Sequence, residues 1–178
     1  MRCFIAINPP EHVKAQIFHK FETLKSKNFF EGKFVEKGNL HLTLKFLGNL
    51  TSEEIEKIKT NLREINFEKF NCRVGNPGYF DEKSIKVLWV GLISEELEKI
   101  KETINGKTPE ISEDHGEFNP HITAARVNEI SDRESLINEI EKMNFKKLDF
   151  EVDCFDLIKS ELSPSGPKYK IIESFSLK

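Results

Sequence analysis

Through residues 39–47 apolar and polar positions alternate: Leu40, Leu42, Leu44 and Phe46 share one parity, and His41, Thr43 and Lys45 share the other. Successive side chains of a strand point to opposite faces, so this predicts a half-buried strand, ended by Gly48, that turns its polar set away from a core. Residues 118–127 predict a second strand of the same kind, with His121 and Thr123 on its polar face. Further strands are predicted at 2–8, 69–74, 78–81, 85–92, 147–158 and 168–177, with turns at Asn76-Pro77-Gly78 and Ser163-Pro164-Ser165-Gly166-Pro167.

Elsewhere the apolar spacing lengthens to that of a helix. Val13, Ile17, Phe21 and Leu24 follow Pro9-Pro10, a pair that can open a helix. Ile55, Ile58, Leu62 and Ile65 follow Thr51-Ser52-Glu53-Glu54, which has the capping-box form, and Leu136, Ile137, Ile140 and Met143 follow Ser131-Asp132-Arg133-Glu134, which has it again. Between these two, Ser94 is placed to cap a short helix carrying Leu97, Ile100 and Ile104, with Gly106 as its stop.

The tetrapeptides His41-Leu42-Thr43-Leu44 and His121-Ile122-Thr123-Ala124 stand 80 positions apart. Thr51 and Ser131 each lie 10 positions beyond their histidine, and Glu54 and Glu134 each lie 13 beyond. The shared order of strand, helix, histidine strand and helix predicts a divergent internal duplication, with motif-bearing halves at approximately 1–84 and 85–178. No linker rich in Pro, Gly or Ser separates them, so they are expected to be two lobes of one compact domain.

Composition narrows the picture modestly. The formal net charge of −3 argues against broad nonspecific binding to nucleic acid while leaving room for a local basic cleft. Cys3, Cys72 and Cys154 are widely separated and form no C-x-x-C pair, so neither a disulfide framework nor a zinc site is predicted, and a reducing cytoplasm fits. The N-terminal apolar run stops at Asn8-Pro9-Pro10, too early for a signal peptide, and no stretch approaches a membrane span.

Each motif presents an imidazole beside a hydroxyl. Two such strands facing one another would supply a general base, a general acid and two hydroxyl donors for charge developing on a phosphate. Lys45 shares the parity of His41 and is expected at the cleft edge, whereas Arg126, five positions past His121, reaches the cleft only if its strand bulges. No H-x-H, H-E-x-x-H or acidic cluster accompanies either motif, so neither metal nor cofactor is predicted. His12 and His19 fall on the first helix and His115 in a polar loop, positions that suit solvent better than catalysis. Phe34 and Phe118 precede the motifs and suit either core packing or a stacking face, while Tyr169 suits either a phosphate contact or an edge strand.

Four segments carry a family resemblance: His41-Leu-Thr-Leu-Lys-Phe-Leu-Gly48, Pro120-His-Ile-Thr-Ala-Ala-Arg126, Arg2-Cys-Phe-Ile-Ala-Ile7 and Ser160-Glu-Leu-Ser-Pro-Ser-Gly-Pro-Lys-Tyr169. Together they resemble the RNA 2′,3′-cyclic phosphodiesterases, also called 2′-5′ RNA ligases, of the two-histidine phosphoesterase superfamily. The resemblance implies a bilobal α+β fold in which two antiparallel sheets line a central groove and helices pack outside. It implies metal-independent hydrolysis of an RNA 2′,3′-cyclic phosphate end to a 2′-phosphate, and nothing in the sequence demands more than a monomer. His41 would be the proton donor, His121 the proton acceptor, and Thr43, Thr123 and Arg126 the phosphate contacts, with Tyr169 a further binding residue. The reverse sense would join tRNA halves through a 2′-5′ bond. Ala124 replaces a larger aliphatic residue common in that family, a change on the core face. Two other readings of the motifs are a noncatalytic module that captures RNA ends and a phosphodiesterase for small cyclic nucleotides.

Overall fold

The computed structural model describes residues 1–111, 117–163 and 166–178. In chain order the elements are β1 (Arg2–Ile7), α1 (Glu11–Glu22), β2 (Phe30–Phe34), β3 (Leu42–Asn49), α2 (Ser52–Arg63), β4 (Phe70–Tyr79), β5 (Val87–Ile93), α3 (Glu96–Lys107), β6 (His121–Ile130), α4 (Arg133–Lys142), β7 (Asp149–Val152), β8 (Cys154–Ser163) and β9 (Gly166–Ser176). His115 and the centre of the turn after Ser163 lie outside the described residues.

The strands are antiparallel in the order β7-β4-β5-β6-β3-β1-β8-β9, with β2 also paired to β6. The motif strands β3 and β6 lie side by side but share one backbone pair, Leu42 with Ile122. Beyond that pair, β2 takes over the same edge of β6 from Ala125 to Ile130. The sheet therefore has two wings joined at a narrow seam, which is how the two expected sheets are realised. Each wing draws strands from both parts of the chain: β8 and β9 flank β1, and β4 flanks β5.

The apolar stripes of all four helices join the buried parity of the strands in one core, including Ile5, Ile7, Leu42, Leu44, Leu88, Val90 and Ile122. On β1 the alternate parity, Phe4 and Ala6, packs instead with Ile158 and Tyr169 in a small separate cluster. No helix among the described residues is long and apolar enough to cross a membrane.

Several local expectations are corrected. Asn76-Pro77-Gly78 is not a turn: β4 runs through it, with two residues between the pairs Val74–Leu92 and Pro77–Val90 against one on β5. This bulge tolerates a proline that cannot donate to a regular ladder. The expected strand at 147–158 divides at Asp153 into β7 and β8, and β2 has no sequence counterpart. Thr51 and Glu54 form the predicted capping box on α2. On α4 the cap is Asp132, whose carboxylate accepts from Ser135 N at 3.1 Å, while Ser131 Oγ donates to the Asn28 carbonyl at 2.7 Å. Ser94 does not cap α3; its hydroxyl donates to Glu96 at 2.6 Å, and the helix continues through Gly106 to Lys107.

Candidate active site

The two motif strands carry the same irregularity. Between β1 and β3, Ala6 pairs with Thr43 and Ile5 with Lys45, leaving Leu44 extra; between β5 and β6, Trp89 pairs with Thr123 and Leu88 with Ala125, leaving Ala124 extra. A bulge shifts the alternation of every residue after it. Lys45 consequently turns into the core, only 6% exposed, with Nζ donating to the Thr108 carbonyl at 3.1 Å and to Thr108 Oγ1 at 2.9 Å. Phe46 turns out, 60% exposed. Both reverse the strict two-residue alternation read from the sequence. On β6 the same shift buries Ala125 and turns Arg126 outward, which is the condition on which Arg126 reaches the cleft. Ala124 itself is buried at the bulge.

The histidines are anchored identically. His41 Nδ1 lies 2.7 Å from the Asn39 carbonyl, and His121 Nδ1 lies 2.7 Å from the Asn119 carbonyl. A carbonyl can only accept, so each neutral ring carries its hydrogen on Nδ1 and keeps the Nε2 lone pair for the cleft. His41 Nε2 lies 3.1 Å from Thr43 Oγ1, whose hydroxyl donates to it in that tautomer. The antiparallel register about Leu42 and Ile122 brings His41 beside Thr123 and Thr43 beside His121.

Burial lowers the pKa of both imidazoles below the ordinary histidine value, and the bond to the Asn39 or Asn119 carbonyl opposes it in each case. His41 is pushed further by the positive charges of Lys14, His121 and Arg126. Lys14, on α1, is 7% exposed, and burial depresses its own pKa. Arg126 also lowers the pKa of Tyr169, against the larger upward effect of burial, so its charge acts across the seam on the opposite wall.

Aromatic rings flank each histidine. Phe4 lies 4.9 Å and Tyr169 5.2 Å from the His41 ring, the tyrosine edge-on. Phe80 lies 4.9 Å from the His121 ring, also edge-on, and Trp89 lies 6.2 Å away. Asn39 further ties the β8–β9 hairpin to the first motif, because its Nδ2 donates to the Pro167 carbonyl at 3.1 Å.

All six sequence candidates, His41, His121, Thr43, Thr123, Arg126 and Tyr169, therefore gather around the seam. Phe34 and Phe118 do not: Phe34 packs against Phe30 and Phe118 lies beneath Lys101, both on the main core. His12 is exposed, and His19 is exposed beside Glu22. Phe4, Phe80, Trp89 and Lys14 escaped the sequence reading, and Phe46 was placed on the core face. Phe4 alone left a signal, its parity on β1 with Ala6; the others depend on a bulge, a strand end or helix docking. Among the described residues no three of His, Cys, Asp or Glu form a cluster of metal-binding geometry.

A family model described as "2'-5' RNA ligase superfamily" matches residues 9–164. The chain belongs to this superfamily. It is 34% identical to the RNA 2′,3′-cyclic phosphodiesterase of Methanocaldococcus jannaschii over 98% of this chain and 100% of that protein. It is 36% identical to the protein of the same name from Thermotoga maritima over 97% of this chain and 93% of that one. Among solved structures, a Thermus thermophilus protein designated TT0787 superposes with a TM-score of 0.81 at 27% identity, covering 99% and 97% of the two chains. E. coli LigT in apo form shares the fold, with a TM-score of 0.79 at 23% identity over 99% and 96%.

Proposed function

We propose that the protein hydrolyses RNA 2′,3′-cyclic phosphate ends to 2′-phosphates without a metal ion. The observation that carries this reading is the pair of imidazoles, each anchored through Nδ1 to a backbone carbonyl two residues back, on motif strands that pair at Leu42 and Ile122. The names of the full-length relatives from M. jannaschii and T. maritima support the same reaction and an RNA substrate.

In the forward sense His121 Nε2 takes a proton from water as its oxygen attacks phosphorus. The P–O3′ bond breaks in line, and protonated His41 delivers its Nε2 proton to the departing 3′ oxygen. Thr43, Thr123 and Arg126 donate to the non-bridging oxygens, where negative charge builds up. The depressed pKa values leave the unliganded pair predominantly neutral near pH 7. Binding an anionic phosphate favours the protonated form that His41 needs.

In-line geometry places the substrate's own ribose and terminal base on the His41 wing, because the 3′ oxygen leaves toward His41. Exposed Phe46 and the ring of Tyr169 offer apolar surface there. With a 5′-hydroxyl in place of water as the nucleophile, the same groups would join RNA ends through a 2′-5′ bond, with tRNA halves as substrates of the right chemistry.

The deciding experiment incubates the protein, with EDTA present, with a short RNA ending in a 2′,3′-cyclic phosphate. A 2′-phosphate product is expected; a 3′-phosphate would reverse the roles of the histidines, and unchanged substrate would overturn the assignment.

A further inference from the structure

Of the five arginines, three are engaged: Arg63 pairs with Glu173, Arg73 pairs with Asp149, and Arg133 donates to the Lys83 carbonyl. Arg126 and Arg2 form no ion pair among the described residues. In the proposed reaction Arg126 faces the phosphate, whereas Arg2 has no part. Yet the charges of both lower the pKa of Tyr169, against the larger upward effect of burial, so both reach the wall beside His41.

Strand geometry puts Arg2 on the face of that wall. Cys3, Ile5 and Ile7 enter the main core, while Arg2 is exposed and shares the parity of Phe4 and Ala6. The ladder fixes its position: Arg2 pairs with Asn49, and the Leu50 N–H donates to the Met1 carbonyl at 2.9 Å. Outward from the seam this face therefore runs Ala6 beside Thr43, Phe4 beside Phe46, and Arg2 beside Asn49. At the rise of a strand, Arg2 stands about 13 Å beyond Ala6 and about 7 Å beyond Phe4. The ground between Arg126 and Arg2 includes exposed Phe46 and exposed Ile171, the latter paired with Ile158.

The covalent structure of an RNA end matches this order. The cyclic phosphate spans C2′ and C3′ on one edge of the ribose, and the chain leaves through C5′ from the opposite edge. With O3′ toward His41 and the terminal base against Phe46 and Tyr169, C5′ points away from the seam, the direction in which Arg2 lies. Resting on that placement of the terminal nucleoside, we propose that Arg2 forms a second phosphate subsite, which takes the phosphodiester linking the terminal nucleotide to its upstream neighbour. A guanidinium offers such a phosphate two parallel N–H donors and stays charged throughout the working pH range. The subsite makes the protein selective for RNA ends, because a nucleoside 2′,3′-cyclic phosphate has no second phosphate to offer.

The test compares two small substrates that differ only in this group: adenosine 2′,3′-cyclic phosphate with a free 5′-hydroxyl, and the same compound carrying a methyl phosphodiester on O5′. The added diester is expected to raise kcat/KM about tenfold, as one hydrogen bond to a charged group would. Arg2→Met should bring the ratio of the two close to unity, and Arg2→Lys should restore part of it. High salt should shrink the wild-type ratio, since Arg2 is exposed. A variant that merely folds less well loses activity on both compounds and leaves the ratio unchanged, so the ratio separates the subsite from a structural role. Equal kcat/KM for the two compounds in the wild type, or a ratio that survives Arg2→Met, overturns the subsite. If neither compound is turned over, the hydrolysis reading fails, and the ratio of their dissociation constants by isothermal titration, in wild type and Arg2→Met, decides the subsite on the same criteria.

Discussion

The His41 and His121 wings share a tetrapeptide, a bulge one residue past the threonine, and a carbonyl two residues before the histidine that fixes its ring. They differ in what surrounds that shared frame. Phe46 on one wing corresponds to Arg126 on the other, Lys45 to Ala125, and Ala6 to Trp89. The difference teaches that a symmetric backbone can hold an asymmetric reaction. Both imidazoles start as the same tautomer, but the positive charges of Lys14, His121 and Arg126 bear on His41 and disfavour its protonated form, so the proposed acid role draws on a bound anionic phosphate rather than on the resting charges.

The strongest way to break this comparison is to remove either imidazole. His41→Ala and His121→Ala are each expected to lower kcat by about 10²–10⁴-fold, the range for positioned general acids and bases, with the thermal unfolding transition still cooperative. Substantial turnover in both variants would mean that neither is needed. Arg126→Met should cost roughly 10²–10³-fold in kcat/KM if it stabilises charge in the transition state, whereas Phe46→Leu on the matching position should act chiefly through KM. Equal losses in kcat for the two would erase the proposed division between a phosphate wall and a base wall.

The pH profile sharpens the comparison at smaller amplitude. Since burial lowers both imidazole pKa values, the bell for kcat/KM should lie on the acid side of the ordinary histidine range near 6.5. Its two limbs belong to the coupled pair. Lys14→Met removes a cation that disfavours protonated His41, so the pKa of the acid should rise and the alkaline limb move to higher pH, with little change in the acid limb. An unmoved alkaline limb would show that His41 is not the group titrating there. The smallest effect expected is on stability alone. Thr51→Ala should cost about 1 kcal/mol by removing the α2 cap, while Ser131→Ala, its sequence counterpart, should leave the α4 cap intact because Asp132 holds that end.

Much of this asymmetry was invisible in the sequence. The apolar periods of the helices and the paired motifs were legible because a helical stripe and a strand parity are local properties of a dozen residues or fewer. Lys45, Phe46 and Arg126 were not, because one inserted residue reverses the parity on which their reading depended, and only the facing strand reveals the insertion. The family resemblance placed Arg126 where periodicity alone could not. Pro77 misled for the same reason, a turn-forming residue absorbed by a bulge. Phe80 and Trp89 meet His121 only through the pairing of β4, β5 and β6, which no single segment encodes.

The single backbone pair between β3 and β6 has a consequence for how the cleft is dimensioned. His41 and His121 ride on separate wings, and the ladder between them is too short to act as a spacer. Leu42 and Ile122 are fully buried in the core at that pair, so their volume, rather than a ladder, would set the gauge of the opening that a phosphorus atom and its two apical oxygens must span between His41 and His121.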